Sequence, residues 1–317
     1  MSIPLLRPPI TKEDIEAVTK QLEAGQLSGG KIVRDFEDAF AEYVGAPHCI
    51  AVDSLTSGFL AVLDMLGPSA ASLPTATYVS MANTLKKMGV SIQFRDGWIA
   101  GNAYPILTDK GTIMDSAHAL RRDICLQDKK AIWLFSFHAT KLLATGKGGM
   151  IATFSKEQAE FLKRIVNNGR IYANNTFEFV VHNAGWNTYM SDIEASLGLS
   201  QLKRLDETNK RRDEVKKLYD KYLKSHPKDN WSRYIYQVWI ENFPAFYQEC
   251  EKRQIQVSKH FNPIHLQPAF FTRGSFPQAT EAAAHLISIP FWADMSEEQI
   301  KTVSEIINQW RNPNAKS

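Results

Sequence analysis

Phe135-Ser136-Phe137-His138-Ala139-Thr140-Lys141, followed by Thr145-Gly146-Lys147-Gly148-Gly149-Met150, joins an apolar strand to a loop lysine, a glycine-rich turn and a second apolar run. Open α/β sheets hold their ligands at the carboxyl ends of strands. A lysine held there, partly desolvated, can form a Schiff base with a carbonyl. The same residues also suit a surface lysine beside a tight turn. Upstream, Thr112-Ile113-Met114-Asp115-Ser116-Ala117-His118-Ala119 ends another apolar strand in an acid. A carboxylate at that point can pair with a protonated pyridine nitrogen and keep the ring cationic, as an electron sink requires. It equally suits the N-cap of a following helix. His118 fits a support for the ring's oxygen or for Asp115, or a structural histidine.

Three further segments follow strand ends. Val52-Asp53-Ser54-Leu55-Thr56-Ser57-Gly58 places small hydroxyl residues between a strand and a helix. A helix N-terminus with free amides there binds an anion such as a phosphate, or is simply capped. Thr75-Ala76-Thr77-Tyr78-Val79-Ser80-Met81-Ala82-Asn83 offers Tyr78 to stack on a flat ring or to pack. Gly185-Trp186-Asn187-Thr188-Tyr189-Met190-Ser191-Asp192 offers the Asn187 amide, with Asp192 as an N-cap or first-turn acid.

Around these segments, short β-type runs alternate with helical patterns. Helices are predicted from Thr11, with Ile15, Val18 and Leu22 on one face, and over 33–43, with Phe36, Phe40 and Tyr43 inward. Strands are predicted over 49–52, 70–74, 91–95, 112–115, 131–135 and 150–154, and helices over 59–66 and 156–167. The alternation implies an α/β domain with a largely parallel sheet. One long helix is predicted from Asp192 to about Lys224. Composition then shifts at Ser225-His226-Pro227-Lys228-Asp229-Asn230, which divides the chain into 1–224 and 225–317. The second part reads as a small α+β lobe: a strand over 234–240, a helix over 244–253, a β-type run near Gln256 and helices near Thr280 and Glu297.

The hydrophobic and charged fractions, 44% and 22%, are those of an ordinary globular protein and exclude a disordered one. A net charge of +3 gives no argument for nucleic acid or a membrane surface. The three cysteines, Cys49, Cys125 and Cys250, have no metal-ligand spacing and suit a reducing cytoplasm. No metal site, signal peptide or bilayer-spanning run is expected.

These five segments, in this order, resemble the DegT/DnrJ/EryC1/StrS family of pyridoxal-phosphate-dependent sugar aminotransferases. Pro9-Ile10-Thr11-Lys12-Glu13-Asp14, Gln26-Leu27-Ser28-Gly29-Gly30 and Phe36-Glu37-Asp38-Ala39-Phe40-Ala41 are similar to its opening. His260-Phe261-Asn262-Pro263-Ile264-His265-Leu266-Gln267-Pro268 resembles its substrate-side motif, and Ile289-Pro290-Phe291 its last core strand. The resemblance implies the aspartate-aminotransferase fold (fold type I): a large domain on a mixed seven-stranded sheet and a small C-terminal domain. It implies that Lys141 is the Schiff-base lysine and proton shuttle, Asp115 the partner of the ring nitrogen, His118 a neighbour of the ring oxygen and Tyr78 the stacking aromatic. Thr56, Ser57 and Ser136 would hold the cofactor phosphate. Asn187 would reach the phosphate in the neighbouring subunit of a homodimer. Ser28, Gly29, His260 and His265 are candidate substrate residues. The implied substrates are a nucleotide-linked keto sugar and an amino donor, glutamate. A sugar dehydratase, whose relatives in the family replace the lysine by histidine, and a non-catalytic pyridoxal-phosphate binder are the alternatives.

Three departures stand out. Leu55 occupies the place of a usual glycine, and Tyr189 that of a frequent arginine. Between Asp96 and Asp115 the usual helix–strand–helix is reduced to 97–114, with 103–107 as a remnant strand. That loss predicts a missing covering layer and an apolar sheet face, open as a pocket or covered by a partner.

Overall fold

The computed structural model describes residues 2–172 and 178–311. Helices α1 (Lys12–Glu23) and α2 (Lys31–Val44) come first. Phe36, Phe40 and Tyr43 recur at helical spacing along α2 and are buried, as that period requires. Gly45 closes α2 at φ 75°, a left-handed cap that glycine adopts without a Cβ penalty. In α1 the apolar stripe points outward instead: Ile15 and Leu22 are 60% and 52% exposed. Its inward face carries Asp14, which pairs with Arg204 and accepts the Ser200 hydroxyl.

Strands and helices then alternate: β1 (His48–Val52), α3 (Leu55–Leu66), β2 (Ala70–Ala76), α4 (Ser80–Lys87), β3 (Ser91–Trp98), β4 (Tyr104–Thr108), β5 (Gly111–Asp115), β6 (Ile132–Ser136), β7 (Gly149–Thr153) and α5 (Lys156–Ile165). The seven strands form one sheet in the order β1-β7-β6-β5-β4-β2-β3. Following the pairings across it, β1, β2, β3, β5 and β6 share one direction, and β4 and β7 run against them. The sheet is therefore mixed and mostly parallel in direction, as the alternation predicts.

After the hairpin β8 (Arg170–Tyr172) and β9 (Phe179–Val181) come α6 (Asp192–Leu202) and α7 (Leu205–Tyr222). The single long helix expected here is thus two. No glycine or proline marks the break at Lys203-Arg204. Arg204 leaves the helical conformation where it binds buried Asp14 and the Pro9 carbonyl. The remainder is β10 (Asn230–Trp231), β11 (Tyr236–Trp239), α8 (Phe243–Lys252), α9 (Pro277–His285), β12 (Leu286–Ile289) and α10 (Glu297–Arg311). β10, β11 and β12 make a small antiparallel sheet. The β-type run near Gln256 forms no strand. It makes single bridges, Ile255 to Ile3 and Ser258 to Ser288. The core beneath this sheet joins Ile287, Ile289 and Ile300 to Val215 and Tyr219 of α7.

The short middle segment sets the sheet's topology. A parallel return from β3 needs a crossover of a dozen or more residues. Only 99–103 connect β3 to β4, so the chain passes the end of β2 and comes back antiparallel. The turn at Asp109-Lys110 then leads into β5. Leu73, Tyr104, Ile106 and Ile113 point into the core under α3 and α4. By strand alternation, Ser72, Gln93, Arg95 and Thr112 lie on the other face. That face is mixed: Pro105 and Met114 share it, Met114 packing against the core around Phe36 and Trp133, and Leu107 is 42% exposed. The extended uncovered apolar face expected from the sequence is not seen among these residues: Ser72, Gln93, Arg95 and Thr112 are polar, and Met114 is packed against the core. Near the carboxyl end of β3, α9 covers the sheet, held where Asp96 accepts the Gln278 and Ala279 amides.

Candidate active site

The carboxyl ends of β1, β2, β5 and β6 meet at a cleft of about 310 Å³, within the roughly 300–1,000 Å³ range of small-molecule sites. Thr56, Tyr78, Asp115, His118, Ser136, Lys141 and His260 all line it. Asp115 is the last residue of β5, so its side chain projects from the sheet edge into the floor. It is 5% exposed. One carboxylate oxygen accepts the Ala117 amide at 2.9 Å; the other accepts the Tyr104 hydroxyl at 2.6 Å. Burial pushes the carboxyl above the usual range, opposed by Tyr104, by the Ala117 amide and by the positive Lys141.

Lys141 reaches the same space from the loop after β6. Its Nζ lies 3.3 Å from the Tyr234 hydroxyl and 4.5 Å from that ring's centroid. His118 stacks on the other aromatic walls: 4.3 Å from Tyr234 and 5.6 Å from Phe261, centroid to centroid. Burial, then the charge of Lys141, holds His118 well below the usual histidine range. The Gly101 amide donates to its Nδ1 at 3.1 Å. The neutral ring therefore carries its proton on Nε2. His260, with Nδ1 2.8 Å from the Ser288 hydroxyl, is lowered to about 4 by burial and by Lys141.

The Ser54 hydroxyl accepts the Ser57 amide and caps α3, whose first turn opens on the cleft. Leu55 is the first residue of that helix and has no left-handed backbone, so the departure from glycine costs nothing. The glycine that matters is Gly149. A Cβ there would meet the Leu55 nitrogen at 2.5 Å and the Phe135 oxygen at 2.8 Å.

Other candidate residues lie outside the cleft lining. The Ser57 hydroxyl sits 2.9 Å from that of Ser54. Ser28 donates to the Tyr189 hydroxyl at 3.2 Å, and Gly29 is in the turn at φ 71° beside it. The next amide, of Gly30, is held by Asp192. His265 is 4% exposed and faces the Thr75 hydroxyl at 2.7 Å and the Phe276 ring. Asn187 is exposed beside Asn167. Tyr78, 59% exposed, stands at the mouth, 5.8 Å from the Phe261 ring. Tyr104, in the expected remnant strand, Phe261, in the substrate-side motif, and Tyr234 were not named as site residues from the sequence. The spacing of Tyr104 from Asp115 in a hairpin register was the one signal available. Tyr234 lies 93 residues from Lys141 and carries no local mark.

Among the described residues, no group of three or more His, Cys, Asp or Glu is placed to hold a metal, and no helix is long and apolar enough to cross a membrane. The sequence matches the pattern of the DegT/DnrJ/EryC1/StrS aminotransferase family over residues 8–104 and 111–308. The interruption falls at the β4–β5 hairpin. A spore coat polysaccharide biosynthesis protein, SpsC, of Bacillus subtilis is 29% identical, with 96% of each chain covered. A UDP-4-amino-4,6-dideoxy-N-acetyl-beta-L-altrosamine transaminase of Campylobacter jejuni is 28% identical over 81% of this chain and 82% of its own. Among solved structures, the aminotransferase TlmJ of Streptoalloteichus hindustanus superposes with a TM-score of 0.85 at 23% identity, covering 98% of this chain and 99% of its own.

Proposed function

Since the chain belongs to the DegT/DnrJ/EryC1/StrS aminotransferase family, we propose that its cleft binds pyridoxal phosphate and moves an amino group from glutamate to a nucleotide-linked keto sugar. The observation that carries this reading is the meeting of Lys141 and Asp115 in one cleft of fitting volume. The residues suit the cofactor. Asp115 keeps lone pairs free after its two hydrogen bonds. The first turn of α3, with Thr56 and with Ser136 nearby, offers amides and hydroxyls to a phosphate.

When bound, pyridoxal phosphate supplies an electron sink for the carbanion left by a departing proton. Asp115 supplies the carboxylate that pairs with the ring nitrogen. Lys141 Nζ would be the amine offered to the cofactor's carbonyl and the group that could hold the moving proton. The Tyr234 hydroxyl orients that amine. His118, neutral with its proton on Nε2, is a donor toward an oxygen and adds no charge. Tyr78, at the mouth, would offer its ring to stack on a flat cofactor.

The assembly is a homodimer in which Asn187 of each subunit completes the other's phosphate site. The outward Ile15 and Leu22 of α1 and the half-exposed Phe179, Val180 and Val181 of the hairpin support a subunit contact. The division into lobes at residue 224 and a reducing cytoplasm, suited to three buried free cysteines, complete the proposal.

The test is addition of pyridoxal phosphate followed by borohydride. A visible absorbance band is expected, with the cofactor's mass fixed on the peptide containing Lys141. Lys141→Ala loses both. In a separate sample, not treated with borohydride, glutamate consumes the band and yields 2-oxoglutarate. Absence of the band in the unaltered protein overturns the reading.

A further inference from the structure

We propose that Tyr104, delivered by the β4–β5 hairpin, is the positioning residue that holds Asp115 as an ionised carboxylate at the floor of the cleft. Its role toward the cofactor rests on the function proposed above; its effect on Asp115 does not.

The two residues face each other directly in the hairpin register. Tyr104 is 4% exposed, and its hydroxyl donates to Asp115 at 2.6 Å. The same oxygen accepts the Thr77 hydroxyl, also at 2.6 Å. The protons thus point one way, from Thr77 to Tyr104 to Asp115. Thr77 is itself buried at 3% exposure. A donor that already accepts a hydrogen bond is polarised toward its own acceptor.

This arrangement answers a specific difficulty. Burial disfavours the charged form of a carboxyl, and Asp115 is buried. A neutral Asp115 would be a poor partner for a ring nitrogen that has to keep its proton. The groups facing it are few. The Ala117 amide fixes one oxygen, Tyr104 fixes the other from β4, and Lys141 contributes its charge from the loop after β6. His118, on the loop that follows β5, is held neutral. Tyr104 is the only one of these donors that comes from the shortened segment. Its antiparallel return is what places a tyrosine opposite the acid.

The experiment uses Tyr104→Phe and Thr77→Val. In the cofactor-free protein, carbon-13 NMR follows the carboxyl of Asp115 through a pH titration. Losing a hydrogen bond to a charged group shifts such an equilibrium about tenfold or more. The Tyr104→Phe midpoint is therefore expected about one pH unit or more above the unaltered one. Thr77→Val moves it the same way by less. With pyridoxal phosphate, Tyr104→Phe weakens binding on the acid side, and the acid limb of the binding profile moves up in pH. At high pH the two proteins converge. An unmoved Asp115 midpoint, or equal weakening at every pH, overturns the proposal, since a packing defect alone acts uniformly. If Tyr104→Phe does not fold, Thr77→Val decides by the same two readouts. Should the NMR midpoint move while the unaltered protein binds no pyridoxal phosphate, the positioning role stands and the cofactor reading falls.

Discussion

Glu37 sits on α2 beneath the sheet, where its carboxylate accepts the Ala51 amide at 2.9 Å. Burial raises it to about 7; the Ala51 amide and Lys163, 3.9 Å away, work against the rise, as does Arg34, while Asp38 adds to it. A group with a raised folded value binds its proton more tightly when folded. The native chain therefore holds more protons than the unfolded chain from about 4.5 to 7, and stability is lost as pH rises through that window. Glu37→Gln keeps an acceptor for Ala51 without the charge. Urea melts should show it more stable than the unaltered protein at pH 8, by about 1–3 kcal/mol. The advantage should vanish near pH 4, where both side chains are neutral. An equal effect at both values would mean that desolvation of the charge is not the cause.

At the scale of elements, the glycine-rich turn locks β7 to α3. Gly149 leaves no room for a side chain between Ser54-Leu55 and Phe135, all of it backbone. Gly149→Ala should cost about 1–3 kcal/mol in urea melts, as overpacking does. It should also displace the amides of the first turn of α3 and weaken pyridoxal phosphate binding measured by absorbance. Loss of stability with unchanged affinity would show that the turn supports the sheet and not the anion site. This turn was legible in the sequence because strand, loop lysine and glycines are contiguous. So was Asp115, at a strand end; α3 was legible as a helix, with its start expected at 59, whereas it begins at Leu55. The hairpin was legible only as a short strand. Its reversed direction follows from a connection too short for a crossover, and the polar positions on the face it leaves, Ser72, Gln93, Arg95 and Thr112, become readable only once the register is known. The break between α6 and α7 left no mark at all, since it is fixed by a contact between Arg204 and Asp14, 190 residues apart.

At the scale of the whole molecule, what the sequence hides is the meeting of distant segments. Tyr234 and Phe261, from the carboxyl-terminal part, close on His118 and Lys141 from the sheet. Within one chain the cleft gathers the lysine, the acid and Thr56 of α3, while Asn187 is exposed. Closed two-fold pairing would give each cleft the partner's Asn187, and would make two differently damaged chains complementary. Lys141→Ala removes the amine from its own cleft. Asn187→Ala damages only the cleft of its neighbour. In a mixed dimer, one cleft has both defects and the other has neither. Each variant alone should therefore transaminate poorly, and subunit exchange between them should restore activity to about a quarter of the unaltered level, because half the dimers are mixed and each has one intact site. Activity would be read as 2-oxoglutarate formed from glutamate and a nucleotide-linked keto sugar. Equal mixtures that stay at the average of the two separate variants, after exchange has been verified by mass, would place Asn187 in service of its own chain's cleft and remove the shared site.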